Sequence, residues 1–191
     1  YMTRTDDSFV ALGDRVRIAR EKGADLFVSL HADSIRLRRI RGATVYTLSE
    51  KASDDYSRDL AQRENKSDAI AGLSFEDEPE RVADILIDLM QRETKLFSVR
   101  FAEAVVESLD GNVKLINNPH RYAGFKVLRA PDVPSILVEI GYLSNAEDEK
   151  LLKDEKWLAE VAGLLAEAID DFRIRVRGEP EGPEEVNLNR N

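Results

Sequence analysis

Two ionisable residues each follow a short apolar run that is typical of a buried strand. His31 comes directly after residues 26–30, and Glu139 comes directly after residues 136–138. Near-continuous apolar runs are expected for strands of a parallel sheet that helices cover on both faces. Because ligands of open α/β sheets bind beyond the carboxyl ends of the strands, we expect the imidazole and the carboxylate to lie close together at one edge. A lone histidine after a strand is usually structural, so the pairing with Glu139 is what favours a functional site.

An imidazole beside a carboxylate suits zinc-assisted hydrolysis. Catalytic zinc takes three protein ligands, commonly His and Glu, and keeps one position for water. A nearby carboxylate then accepts the proton of that water during attack on an amide. His31 fits the ligand and Glu139 fits the base. One ligand does not hold zinc, however, and the only other histidine, His120, falls in an expected loop with Pro119 and Arg121. His120 and Arg121 either line a substrate cleft or belong to a plain loop.

The apolar patterns around these residues predict an α/β fold, with a mostly parallel twisted sheet flanked by helices. A helical pattern from Phe9 ends at Gly23. The expected strands cover 26–30, 43–48, 125–128 and 135–138, and the expected later helices cover 96–109, 146–153 and 155–174.

Composition excludes several classes of function. The 191 residues suit one domain, and their formal net charge of −9 argues against a general nucleic-acid backbone binder. No apolar run approaches the roughly 20 residues needed to span a bilayer, and no signal peptide is visible in the sequence. The absence of cysteine excludes disulfides, thiolate catalysis and cysteine-based zinc sites.

Two long motifs resemble those of the zinc amidase family called Amidase_3. The first comprises Thr3, Arg4, Asp7 and Arg15 followed by 24–33, and the second comprises 124–128 and 134–145. The resemblance implies that His31 is a zinc ligand and Glu139 is the catalytic base. It also implies a first strand and two further ligands, a His and a Glu, upstream of Tyr1. Residues 1–175 are then an amidase domain that is incomplete at its N-terminus, and 176–191 form a disordered acidic tail.

The segment 49–93 resembles a helical regulatory insertion of the cell-division amidases of Gram-negative bacteria. In those proteins an inserted helical element covers the active site until an activator removes it. By this resemblance Glu64 occupies the open zinc position, whereas on composition alone it is one of many solvated helix glutamates. The apolar stripe Val82–Met90 either packs on the domain or forms a docking face for the activator. Asp33 either orients His31 or has a surface or capping role.

The resemblance implies zinc-dependent hydrolysis of the amide between N-acetylmuramic acid and L-alanine in peptidoglycan. The expected partners are peptidoglycan and an activator protein that docks on the insertion, with no nucleic acid and no membrane span. We expect a periplasmic monomer that acts in septal cell-wall splitting. The alternatives are a catalytically inactive peptidoglycan-binding or regulatory module of the same fold, and a zinc carboxypeptidase acting on other peptides.

Overall fold

The computed structural model describes residues 1–71 and 85–177. The expected tail lies outside these residues, except that the last helix continues through Arg177. The middle of the 49–93 segment lies outside them too. Of the stripe Val82–Met90, only Met90 has a described side chain, and it is half exposed.

The described residues form six α-helices, four strands and one 3-10 helix. In chain order they are α1 (Leu12–Glu21), β1 (Phe27–Asp33), β2 (Ala43–Leu48), α2 (Asp55–Glu64), α3 (Ser67–Ile70), α4 (Ile85–Leu109), β3 (Leu115–Ala123), a 3-10 helix (Lys126–Leu128), β4 (Ser135–Tyr142), α5 (Ala146–Leu152) and α6 (Glu155–Arg177). Within the described ranges, no helix is both long and apolar enough to cross a membrane.

The four strands form one sheet in the order β1-β4-β2-β3. β1 pairs with β4 and β2 pairs with β3 in parallel, whereas β2 and β4 are antiparallel. The prediction of a mostly parallel sheet is therefore confirmed. Helices cover both faces, as near-continuous apolar strands require.

Side-chain alternation along the strands separates two apolar cores. Val45, Ile136 and Val138 point to the face that α4 and α6 cover, and they pack there with side chains such as Phe101 and Phe172. On the opposite face, a second core contains the buried aromatic and aliphatic residues Phe27, Tyr46, Leu60, Phe125 and Leu137. The second face also carries His31 and Glu139, because both are an even number of residues from members of this core in their own strands.

Helix α2 is part of this second core. Leu60 is fully buried and Ala61 nearly so. Burying one leucine side chain contributes roughly 1.5–3 kcal/mol, so α2 has a firm apolar anchor. The turn after α2 is held by Asn65, whose side chain donates to the carbonyl of Gly124 and accepts from the backbone N–H of Lys126.

Three expectations for the C-terminal half are wrong. The segment expected as a strand at 125–128 contains a 3-10 helix, because the Asn65 side chain binds its backbone where a neighbouring strand would otherwise pair. The expected loop at Pro119 lies inside strand β3, whose register with β2 is irregular before His120. Proline is tolerated there because β3 is an edge strand. The residues expected to start a separate helix near Leu96 continue a single helix, α4.

Candidate metal centre

His31 and Glu139 are direct neighbours across the β1–β4 pairing. Their Cα atoms are partners in the parallel register. Neither residue ends its strand, since β1 continues to Asp33 and β4 to Tyr142. The register is irregular between His31 and Asp33, at the point where the two strands separate from regular pairing. The sequence therefore predicted the juxtaposition correctly, although it placed both residues slightly too close to the strand ends.

The Glu139 carboxyl group is fully buried, and only one of its oxygens has a hydrogen bond. Oε2 accepts from the backbone N–H of Asp33 at 3.1 Å, whereas Oε1 has no partner among the described residues. Oε1 lies 4.0 Å from Nδ1 of His31. Burial raises the pKa of Glu139 well above its ordinary value, and the nearby charge of Asp33 raises it further. A buried carboxyl oxygen without a partner is costly, so this atom faces a position where a proton, water or cation belongs.

His31 presents its Nδ1 atom to the same position. Its other ring nitrogen, Nε2, lies 3.0 Å from the hydroxyl oxygen of Ser29. When Ser29 accepts the Nε2 proton, Nδ1 carries the lone pair. Burial, followed by the positive charge of Arg15, lowers the pKa of His31 to about 4. The ring is therefore neutral at physiological pH, which is the form that binds metals.

Helix α2 brings a second carboxylate to His31. Glu64 is the last residue of α2, and its Oε2 lies 3.3 Å from Nδ1 of His31. Burial raises the pKa of Glu64, and the charge of Asp33 adds to this effect. When Nδ1 carries the lone pair, it and the carboxylate oxygen are both acceptors, and a shared proton or a cation is what joins two acceptors at this distance.

The Arg63 side chain fixes the end of α2 against the end of β1. Its Nη2 lies 2.5 Å from Oδ2 of Asp33, and its Nη1 donates to the carbonyl of Ser34 at 3.0 Å. Asp33 thus joins Arg63 through its side chain and Glu139 through its backbone N–H. Its side chain contacts Arg63, not the His31 ring that it was suggested to orient.

The chemistry and spacing of His31 and Glu64 fit zinc. Imidazole nitrogen and carboxylate oxygen are both common zinc ligands. Two ligands of a tetrahedral ion lie about 3.3–3.6 Å apart when each is about 2.0–2.2 Å from the metal. The separation of 3.3 Å between Nδ1 and Oε2 agrees with this value. Within residues 1–71 and 85–177, no group of three or more His, Asp or Glu side chains could hold a metal ion.

His120 takes no part in this centre. It lies in β3, which forms the sheet edge opposite β1. Its Nε2 is 3.1 Å from the hydroxyl oxygen of Thr47, and burial lowers its pKa. The sequence left two alternatives for His120, the lining of a substrate cleft or a plain loop. The structure supports neither, because His120 lies in β3 and pairs there with Val45 of β2.

Two residues of the centre were not singled out from the sequence. Ser29 could have been found, because alternation places it on the same face of β1 as His31. Arg63 precedes Glu64, but nothing in the sequence indicates its partner Asp33, which is 30 positions away.

The sequence profile of a family described as N-acetylmuramoyl-L-alanine amidase, Amidase_3, matches residues 1–171. The chain is 43% identical over 184 residues to the N-acetylmuramoyl-L-alanine amidase AmiC of Escherichia coli O6:H1. That alignment covers 93% of this chain and 44% of AmiC. The chain is also 36% identical to the N-acetylmuramoyl-L-alanine amidase AmiA of Escherichia coli K12, in an alignment that covers 90% of this chain and 60% of AmiA. The chain thus spans only about half the length of these relatives.

Solved structures are similar in fold. The N-acetylmuramoyl-L-alanine amidase AmiC2 of Nostoc punctiforme superposes with a TM-score of 0.56 at 26% sequence identity. The match covers 89% of this chain and 69% of that one. The catalytic domain of the amidase CwlV from Paenibacillus polymyxa gives a TM-score of 0.54 at 25% identity, over 89% of this chain and 69% of that domain.

Proposed function

Because this chain belongs to the Amidase_3 family of N-acetylmuramoyl-L-alanine amidases, we propose that it hydrolyses the amide between N-acetylmuramic acid and L-alanine in peptidoglycan. Zinc is the proposed cofactor, with His31 and Glu64 among its ligands in the resting enzyme and Glu139 as the catalytic base. The remaining ligands are the His and Glu that the family resemblance implies upstream of Tyr1.

One observation carries this proposal. Three groups lie around one position. Nδ1 of His31 is 3.3 Å from Oε2 of Glu64 and 4.0 Å from Oε1 of Glu139, which has no hydrogen-bond partner among the described residues. A neutral imidazole and a buried base are groups that zinc-assisted amide hydrolysis uses, and a carboxylate is a zinc ligand that can take the place of the attacking water.

Glu139 moves the proton in the proposed reaction. Its Oε1 takes a proton from the attacking water, whose oxygen forms a bond to the lactyl carbonyl carbon. Oε1 then delivers that proton to the nitrogen of L-alanine as the carbon–nitrogen bond breaks. The Asp33 N–H holds Oε2, which leaves Oε1 as the oxygen that exchanges the proton.

His31 holds the metal in this proposal, through Nδ1. The Ser29 hydroxyl supports the required tautomer by accepting the Nε2 proton. When bound, zinc acts as a Lewis acid that polarises the carbonyl and lowers the pKa of water.

Glu64 keeps the resting enzyme inactive in the same proposal. A carboxylate next to Nδ1 of His31 fills the position that water needs. The Arg63–Asp33 ion pair holds the last turn of α2 against the site, and Leu60 anchors the helix in the core. Activation therefore requires Glu64 and Arg63 to leave these contacts.

We assign this release to an activator protein that binds the 49–93 insertion. The resemblance to regulated cell-division amidases supports a role in septal cell-wall splitting in the periplasm. The activator and the role in septal splitting are proposed for the whole protein. The chain described here aligns with about half the length of its relatives.

Replacing Glu64 with alanine should raise hydrolysis by about 10- to 100-fold in the absence of an activator, the range of a typical regulatory coupling. The full-length protein, as its gene encodes it, is incubated with dye-labelled peptidoglycan, and released dye is measured. Asp55→Ala is the matched control, because it removes one carboxylate from the same helix at a side chain that is 88% exposed. A point variant is preferable to deleting residues 55–92, since that deletion removes Leu60 and Ala61 from the core.

Unchanged or lower dye release in Glu64→Ala would contradict autoinhibition by this residue. If neither the wild type nor the variant releases dye, yet both sediment with peptidoglycan, the protein is an inactive binding module.

A further inference from the structure

Arg15 of helix α1 is a half-buried cation close to the candidate metal centre. Its Nε donates to the carbonyl of Val10 at 2.9 Å, which fixes the direction of the side chain. Among the described residues, its two Nη groups have no hydrogen bond, and no carboxylate lies within ion-pair distance of them. Because a guanidinium stays charged in a protein, Arg15 keeps a positive charge at this place that no described carboxylate contacts.

Contacts of the segment that follows α2 show where this charge lies. The backbone N–H of Leu12, at the start of α1, donates to Oδ1 of Asp68 at 3.0 Å. Asp68 belongs to α3 and comes four residues after Glu64, which contacts His31. Residues three positions apart are neighbours on a helix surface, so Arg15 lies next to Leu12 and near both carboxylates.

The charge of Arg15 acts on the carboxylate of Glu64. Burial and the like charge of Arg4 lower the pKa of Arg15, whereas the charges of Asp68 and Glu64 raise it. In return, burial raises the pKa of Glu64, and the charges of Arg63 and Arg15 oppose this rise. Arg15 therefore stabilises a negative oxygen at the position that the Glu64 carboxylate takes beside the centre.

Of the charged groups around Glu64, Arg15 is the cation that stays when the insertion leaves. Glu64, Arg63 and Asp68 all belong to the segment 49–93, and its release in the proposed activation removes them together. Arg15 lies on α1, which is anchored separately, because Leu12 is buried in the second core. Release of the insertion thus leaves the positive charge beside the centre and removes its nearest negative neighbours.

The Glu64 carboxylate also resembles a charged oxygen that the reaction creates. When water attacks an amide, the carbonyl oxygen becomes negative as the tetrahedral intermediate forms. In the proposed reaction this happens next to Nδ1 of His31 and Oε1 of Glu139, the groups between which Glu64 places its carboxylate in the resting state. A cation that stabilises one of these two negative oxygens is in position to stabilise the other.

We propose that Arg15 stabilises the negative charge that develops on the oxygen of the scissile carbonyl. This inference rests on the proposed function, since that reaction supplies the carbonyl. In the resting state the same guanidinium stabilises the Glu64 carboxylate, so that Glu64 and the reacting oxygen use one cation in turn. A fixed charge in a partly buried site acts strongly, because the effective dielectric constant there is lower than in water.

Replacing Arg15 with glutamine in the Glu64→Ala background should lower the turnover number for soluble muropeptides by about 10- to 100-fold. The KM and the zinc content should stay unchanged, because the charge acts on the reacting oxygen. Glutamine Nε2 occupies the place of arginine Nε and can still donate to Val10, so only the charge is lost. Arg15→Lys should retain part of the turnover number.

Arg17→Gln is the matched control. It removes one arginine from the same helix, at a side chain that is 58% exposed and pairs with Asp14 and Glu21. We expect it to leave the turnover number, the KM and the zinc content of the Glu64→Ala protein unchanged.

Binding of acetate tests the same charge without requiring hydrolysis. Acetate supplies the carboxylate that Glu64→Ala removes, and a titration of the full-length Glu64→Ala protein with carbon-13-labelled acetate is followed by NMR. Adding Arg15→Gln should weaken acetate binding by about tenfold, as the loss of one charged partner predicts. Adding Arg17→Gln should not change it.

Equal acetate affinity in the Arg15→Gln and Arg17→Gln proteins would overturn the inference. An Arg15→Gln enzyme that turns over as fast as its Glu64→Ala parent would also overturn it, and would leave the proposed amidase activity intact. Equal losses of zinc and of melting temperature in Arg15→Gln and Arg15→Lys would assign Arg15 a structural role instead. If the Glu64→Ala parent itself cleaves no peptidoglycan, the proposed function is wrong and this inference is wrong with it.

Discussion

Replacing Glu139 with glutamine lowers the turnover number for peptidoglycan hydrolysis by about 10³-fold, within the 10²–10⁴-fold that a positioned general base contributes. The variant keeps the shape of the side chain and removes only its ability to take a proton. Glutamine Oε1 can still accept the hydrogen bond that Asp33 N–H donates to Glu139. We therefore expect the zinc content and the melting temperature to stay close to those of the wild type.

Glu107→Gln is the control for this substitution. Glu107 lies on α4 and its side chain is 71% exposed, so its replacement should leave the turnover number unchanged. Both variants are best made in the Glu64→Ala background, where the site is open. A Glu139→Gln enzyme that hydrolyses peptidoglycan as fast as its Glu64→Ala parent would exclude Glu139 as the base.

Replacing His31 with alanine should remove most of the bound zinc. Zinc measured by mass spectrometry should fall from about one ion per chain to less than about a tenth, and hydrolysis should fall by at least about 10²-fold. The loss follows because Nδ1 of His31 is the only imidazole nitrogen at the candidate centre among the described residues.

His120→Gln provides the matched control, since His120 is the second of only two histidines in the chain. It contacts Thr47 on the far side of the sheet, and glutamine can replace that hydrogen bond. Equal zinc loss in the two variants, or full zinc retention in His31→Ala, would show that His31 is not a ligand.

The sequence predicted that His31 and Glu139 lie close together because the local apolar pattern identifies their two strands and the geometry of a parallel sheet aligns the ends of those strands. Apolar runs that are buried on two faces mark parallel strands, and such strands align their carboxyl ends. The β1–β4 register confirms this part of the prediction. The strand 43–48 and the helices after Asn145 were predictable for the same reason, since each has a clear apolar period.

The contacts that shape the rest of the centre join residues far apart in the chain. Asn65 determines the backbone of 126–128 through bonds that span about 60 positions, and no local pattern contains that information. Arg63 reaches Asp33 in the same way. Strand β3 was missed because Asn117, Asn118 and Pro119 are typical of loops, although an edge strand tolerates them.

The family resemblance added what the residue pattern alone did not provide. The pattern led to one histidine and one carboxylate, whereas the resemblance pointed to Glu64 as a third group. The structure brings Glu64 to 3.3 Å from His31. The boundaries of the insertion, 49–93, stay a prediction, because part of this segment lies outside the described residues.

Hydrolysis in water labelled with oxygen-18 most directly tests the proposed reaction. The Glu64→Ala protein is incubated with purified peptidoglycan, and the products are analysed by mass spectrometry. We expect stem peptides with a free L-alanine amine, and glycan strands whose lactyl carboxyl group carries one labelled oxygen. Label at a glycan reducing end, or at a carboxyl group within the peptide, would show that a different bond is cut and would contradict the amidase assignment.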